Sequence, residues 1–139
     1  MPTLLSATEL DRLIDEHFQA ELDENIEAVV ATFADDVEHD VVGRPTVSQG
    51  RGEAAAFYRE LFADLHLQRF ETVHRYHGAD FVVDESVVHA TAIGSPFGIP
   101  GEGRVLNFRL LHIFDVRDGQ ITRENAWLDI ASIMAQLTA

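Results

Sequence analysis

The chain contains no cysteine. That excludes disulfide staples, thiol nucleophiles and thiolate-held metals together. Basic residues are few: 10 Lys+Arg stand against 24 Asp+Glu, for a formal net charge of −14. Such a surface repels phosphates, so neither nucleic acid nor an anionic membrane is an expected partner. No apolar run approaches the roughly 18 residues that a bilayer-spanning helix needs. The stretch Met1-Pro2-Thr3-Leu4-Leu5-Ser6 is short and lacks a basic n-region, so no secretory signal is expected and a soluble, cytoplasmic protein is. The Gly94–Gly103 segment is interrupted by Pro96 and Pro100 and precedes a strand pattern. It therefore lacks the glycine loop and following helix that cradle a phosphate. A Gly-x-Ser-x-Gly nucleophile elbow is also missing. Repeats, linkers and low-complexity segments are absent, which leaves a single domain over residues 1–139.

What is present is enough apolar material for a core, 46% of the residues. Ser6-Ala7-Thr8-Glu9 has capping-box spacing, and Leu10, Leu13, Ile14 and Phe18 follow at helical spacing. A second short helix follows Asp23-Glu24-Asn25, with Ile26, Val29, Val30 and Phe33 on its apolar face. A strand carrying His39 and Asp40 comes next, then a loop over Gly43–Gly52 and a third helix from Glu53 to Leu65. After that the pattern alternates: strands over Leu67–His77, Phe81–Ile93, Arg104–Val116 and Gln120–Leu128, with turns at Gly78-Ala79-Asp80 and Asp118-Gly119. Asp129 reads as the cap of a closing helix. Helices first and an antiparallel meander afterwards is an α+β order, in which no βαβ unit is indicated.

On this frame, two stretches carry a family resemblance. Asp36-Val37-Glu38-His39-Asp40-Val41-Val42-Gly43 resembles the isomerase-type segment that bears a general-base aspartate. Phe114-Asp115-Val116-Arg117-Asp118-Gly119-Gln120-Ile121 through Trp127-Leu128-Asp129 resembles the SnoaL-like ending, and Gln136-Leu137 sits where that family often ends. The chain is thus similar to the NTF2-like superfamily, with its SnoaL-like and ketosteroid-isomerase-like members, over nearly its whole length. The resemblance implies a cone of N-terminal helices packed on a curved antiparallel sheet around an apolar pocket. It further implies cofactor-independent proton transfer on a small hydrophobic organic ligand: isomerisation, cyclisation or hydration. A non-catalytic ligand-binding or dimerisation domain is the alternative, because the superfamily includes both. Departures favour that alternative. Phe18 stands where steroid isomerases carry a tyrosine, Leu111 near their protonated aspartate, and Ala126 where epoxide hydrolases and cyclases carry an acid.

Asp40 is the leading catalytic candidate. A carboxylate against an apolar wall binds protons more tightly, which suits it to accept one from carbon or water. Its competing role is structural, accepting N–H groups in the Gly43–Pro45 turn. Its neighbour His39 points to the other side of the strand. Alternation sorts the strand Arg104–Val116 into Leu106, Phe108, Leu110, His112 and Phe114 on one face, and Val105, Asn107, Arg109, Leu111 and Ile113 on the other. The family match at Leu111 assigns the second face to the pocket, where Arg109 pairs with Asp40 or clamps an anionic group. The first face then lies outside and pairs with a second copy as a homodimer. With the faces reversed, His112 replaces Arg109. His39, Phe18, Tyr58, His74, Asn107, Glu124 and Trp127 complete the expected ligand-contacting set, and Glu124 could supply the acid missing at Ala126. His74 and His77 point to opposite faces and cannot chelate one ion; His39, His74, His89 and His112 could still converge on Asp40, but without a spacing signature no metal site is expected.

Overall fold

The computed structural model describes residues 4–139; Met1–Thr3, half of the stretch read above for a secretory signal, lie outside the described residues. Helix α1 spans Ala7–Leu22 and α2 Ile26–Ala31, followed by β1 (Phe33–Val41), β2 (Ser48–Gln49) and α3 (Gly50–Asp64). Strands β3 (Leu65–His77), β4 (Phe81–Ala92), β5 (Val105–Arg117) and β6 (Gln120–Leu128) then form a meander, closed by α4 (Ile130–Leu137). A single 3₁₀ turn, Pro96–Gly98, interrupts the loop between β4 and β5. No helix among the described residues is long and apolar enough to cross a membrane.

Local chemistry sets the element boundaries. The capping box at α1 forms as its spacing predicts: Ser6 Oγ accepts the Glu9 N–H at 3.2 Å and Glu9 Oε1 accepts the Ser6 N–H at 3.1 Å. Asn25 caps α2 and Asp129 caps α4, each accepting the N–H three residues on. Phe33, expected on the second helix, is instead the first residue of β1. The helix stops because the Thr32 hydroxyl donates to the Val29 carbonyl at 2.6 Å, closing its last turn. Asp118 and Gly119 both have positive φ, which gives the β5–β6 turn the twist that an antiparallel hairpin needs.

The six strands run in the order β2-β1-β6-β5-β4-β3. All neighbouring pairs are antiparallel except β1 and β6, which lie parallel. The antiparallel meander read from the sequence does not anticipate that pairing, because more than half the chain separates the two strands. Register shifts in β1–β6, β3–β4 and β5–β6 coil the sheet. The helices fill its concave side, giving the α+β cone of the NTF2-like fold.

The burial of β5 corrects the expected face assignment. Leu106, Phe108, Leu110, His112 and Phe114 are buried on the concave side, whereas Val105, Asn107, Arg109 and Leu111 are exposed. An uninterrupted row of large apolar side chains is worth most when buried against the helices. A guanidinium and an amide stay hydrated on the other face. The residues expected at a dimer contact therefore belong to the core.

One ionic staple fastens α1 to the meander. Arg75 Nε donates to Asp84 Oδ2 at 2.6 Å, Nη2 to Asp15 at 2.7 Å and Nη1 to Asp11 at 3.2 Å. Asp84 is fully buried and also accepts from the Ser86 hydroxyl. Losing one partner leaves an uncompensated charge in the interior, so Arg75→Met should destabilise the fold by roughly 3 kcal/mol or more in urea titration. The exposed Arg117–Asp36 pair provides the control, and Arg117→Ala should cost under about 1 kcal/mol. Equal losses in the two variants would refute the staple.

Candidate active site: a buried imidazole–carboxylate cluster

Between the concave face of the sheet and α3 lies a cavity of about 70 Å³ with largely apolar walls, including Phe70, Val88 and Phe108. A second cavity of about 210 Å³ adjoins it, and Val41, Phe57 and Phe108 are walls of both. The first is polar at one end, where Glu21, His39, Tyr58, His112 and Glu124 meet. Each comes from a different element or turn. Helix α1 supplies His17 and Glu21 four residues apart, β1 His39, α3 Tyr58, β5 His112 and β6 Glu124.

Glu124, only 1% exposed, is the hub. Its Oε1 accepts from His17 Nε2 at 3.0 Å and lies 3.5 Å from His112 Nε2. Its Oε2 accepts from the Tyr58 hydroxyl at 2.9 Å and lies 2.7 Å from His39 Nε2. Burial alone would raise the Glu124 carboxyl. The charge that His17 and His39 carry when protonated, together with their hydrogen bonds, outweighs burial and holds it well below the usual carboxylate range. Glu21 behaves oppositely: burial, then the charge of Glu124, pushes it well above that range. The same causes, burial first and then the charges of Glu124 and Glu21, push Tyr58 up, so the phenol remains a donor.

Hydrogen-bond bookkeeping fixes where the ring hydrogens sit. The Tyr58 hydroxyl gives its hydrogen to Glu124, so on meeting His39 Nε2 at 3.2 Å it can only accept. Nε2 of His39 thus carries the hydrogen. Its Nδ1 has no hydrogen-bond partner among the described residues. Thr32 gives its hydrogen to Val29, so it accepts from His17 Nδ1 at 2.9 Å. Nε2 of His17 faces Glu124 Oε1 at 3.0 Å and Glu21 Oε2 at 3.3 Å. Only Glu124 lies along the N–H direction, and Glu21 Oε2 is left without a hydrogen-bond partner among the described residues. One ligand atom from each of His17, Glu21 and Glu124 lies within 4.8 Å of the other two, close enough for a shared metal ion.

The expected site is redistributed. Asp40 lies on the opposite face from His39, 26% exposed at its side chain and 3.5 Å from Arg123 Nη2. It therefore does not reach the cavity, which corrects the inward placement read from the sequence. The strand turns Val37 and His39 inward and leaves Glu38 and Asp40 to straddle Arg123. Nor does Asp40 accept from the Gly43–Pro45 turn, the alternative weighed above; its hydrated ion pair takes that place. Arg109 is also outside, 70% exposed at its side chain and paired with Glu85 at 3.0 Å. Asn107 is exposed and holds Gln136 of α4 through its backbone. His74 is exposed and packs on Tyr76. Trp127, 38% exposed, lies on the outer face opposite its register partner Leu111. Phe18 is buried and stacks on Phe70 at 4.4 Å, backing His112 rather than lining the cavity. His39, Tyr58 and Glu124 are the expected residues brought together, with His112 taking the place of Arg109. His17 and Glu21 were missed. Their signal was a histidine and a glutamate one turn apart on the stripe of Leu10, Ile14 and Phe18, where an exposed polar pair would not lie.

Burial lowers His112 from its ordinary 6.5 to about 4, against the charge of Glu124; His17, Asp84 and His39 also face it. Between those values the unfolded chain binds a proton that the folded chain does not. Stability should therefore fall as pH drops from about 6.5 to about 4, by up to roughly 3 kcal/mol. His112→Gln should flatten that slope in urea titrations across the range. A slope unchanged from the parent protein would contradict the assignment.

A comparison with curated protein sequences finds no match. Solved structures do match. A candidate polyketide cyclase from Xanthomonas campestris is 25% identical, with 94% of this chain and 97% of that one covered and a TM-score of 0.81. A candidate SnoaL-like polyketide cyclase from Jannaschia sp. CCS1 shares 18% identity over 97% of this chain and 96% of that one, with a TM-score of 0.85. An LEH-like epoxide hydrolase from M. tuberculosis shares 19% identity over 94% and 90% of the two chains, with a TM-score of 0.75. The last two speak for the fold. The model of the SnoaL-like domain matches residues 14–124, a span that runs from helix α1 to the hub glutamate. The chain belongs to the SnoaL-like domain family, within the NTF2-like superfamily.

Proposed function

We propose that the protein is an enzyme that moves a proton on a small hydrophobic carbonyl compound, with His39 as the base. The observation that carries this reading is the unpartnered Nδ1 of His39, on a ring that lines an apolar cavity and is backed at Nε2 by Glu124 and Tyr58. With its hydrogen at Nε2, the ring offers a lone pair at Nδ1. Taking a proton there makes an imidazolium beside an ionised carboxylate that is already in position. In an apolar enclosure that charge pairing is stronger than in water.

The proton leaves a carbon next to the carbonyl, and the electron pair of the broken C–H bond moves onto the carbonyl oxygen as an enolate. Return of the proton to a different carbon is an isomerisation; attack of the enolate carbon on a second carbonyl is a cyclisation. The latter agrees with the cyclase description of the Xanthomonas campestris relative. Imine chemistry through a lysine is excluded, because the sequence contains none. Exchange of substrate C–H for deuterium, followed by NMR over a panel of enolisable ketones, tests the reading. His39→Gln should slow exchange by about 100-fold or more, with Glu124→Gln comparable and Asp40→Asn unchanged. Full exchange by His39→Gln, or its loss in Asp40→Asn, would overturn it.

A homodimer is also part of this reading, now through the convex face. Val105, Leu111 and Trp127 are exposed there, and a second copy would cover them. Trp127→Glu should shift sedimentation from dimer to monomer. A parent protein that already sediments as a monomer would refute the contact.

A further inference from the structure

We infer that His17, Glu21 and Glu124 form a binding site for one divalent metal ion, of the kind that accepts mixed nitrogen and oxygen ligands. The geometry is on the ligand atoms themselves. His17 Nε2 lies 3.0 Å from Glu124 Oε1 and 3.3 Å from Glu21 Oε2. Ligand atoms about 2.0–2.2 Å from a shared ion are separated by distances of this order. All three side chains are buried.

Two independent features point to a cation rather than to packing. The first is the orientation of His17. Thr32, its own hydrogen committed to Val29, accepts from Nδ1 and aims Nε2 at two carboxylates. A histidine held by an oxygen at one nitrogen and directed at carboxylates with the other is the arrangement of a metal ligand with its orienting partner. The second is Glu21 Oε2, buried and without a hydrogen-bond partner among the described residues. A hydrogen on Nε2 satisfies Glu124 and leaves that oxygen unpaired. A metal ion between the three, with Glu21 giving up its proton on binding, satisfies all of them.

Glu21 and Glu124 also line the cavity that His39 borders, so an ion held by the three would lie at its edge. Three protein ligands with an open position is the pattern of a catalytic ion rather than a purely structural one. If the proton-transfer reading holds, an ion there stabilises the enolate oxygen that ionised Glu124 would otherwise repel. Metal binding itself does not depend on that reading.

The test uses the full chain, stripped with a chelator and titrated with Co²⁺, following visible absorption and the bound metal content. One ion per chain is expected, with ligand-field bands in the visible. Glu21→Gln and His17→Gln should each weaken binding at least tenfold, with folding checked by circular dichroism. Thr32→Val removes only the orienting contact and should weaken it by about 10- to 100-fold. Folded parent protein that binds no Co²⁺ at about 1 mM overturns the proposal. So does binding that all three variants retain, which would place the ion elsewhere. Turnover is not part of this readout: ion binding that persists in His39→Gln alongside intact deuterium exchange would sink the base assignment and leave the metal site standing.

Discussion

An ionised carboxylate in a dry interior is the constraint around which this molecule is organised. Glu124 is tolerable there only because donors reach it from several directions: His17 from α1, Tyr58 from α3, and His39 from β1 close by. Desolvating such a charge without partners would cost many kcal/mol. Its burial therefore ties the first helix, the third helix and the first and last strands to one point. The parallel pairing of β1 with β6 has the same consequence, because its register sets His39 beside Glu124.

The cone makes this hub chemically useful. Register shifts coil the sheet around the helices, and a gap persists between the two layers. Phe18, Phe33 and Phe114 pack behind the cluster against His17 and His112 and keep water from its rear. At the front, His39, His112 and Glu21 line the cavity, and each also carries a buried atom that no protein group satisfies among the described residues. Natural interiors carry few such atoms, and several at one end of one cavity mark a place built to receive something.

Much of the frame was legible in the sequence. Capping chemistry at Ser6, Asn25 and Asp129, and the alternation of four late strands, placed the elements to within a few residues. Glu124 was recognised as the acid that could stand in for the one missing at Ala126, since both share a face of β6. The faces of β1 and β5 were not legible. Alternation separates His39 from Asp40, and Phe108 from Arg109, without saying which of each pair turns inward. The decision follows from burial: the apolar row of β5 must meet the helices, and Asp40 finds a hydrated partner in Arg123. His17 and Glu21 were hidden for another reason. They lie more than a hundred residues from Glu124, and a polar pair within an apolar helical stripe becomes meaningful only beside its partner.

The ionisation of Glu124 is the measurement on which everything else turns. Infrared difference spectra of the parent protein against Glu124→Gln, recorded at neutral pH, report it directly. The account predicts that the substitution removes an ionised carboxylate band and no protonated carboxyl band. Loss of a protonated carboxyl band instead would mean a neutral hub, and the orientation of His39 by a buried negative charge would be wrong.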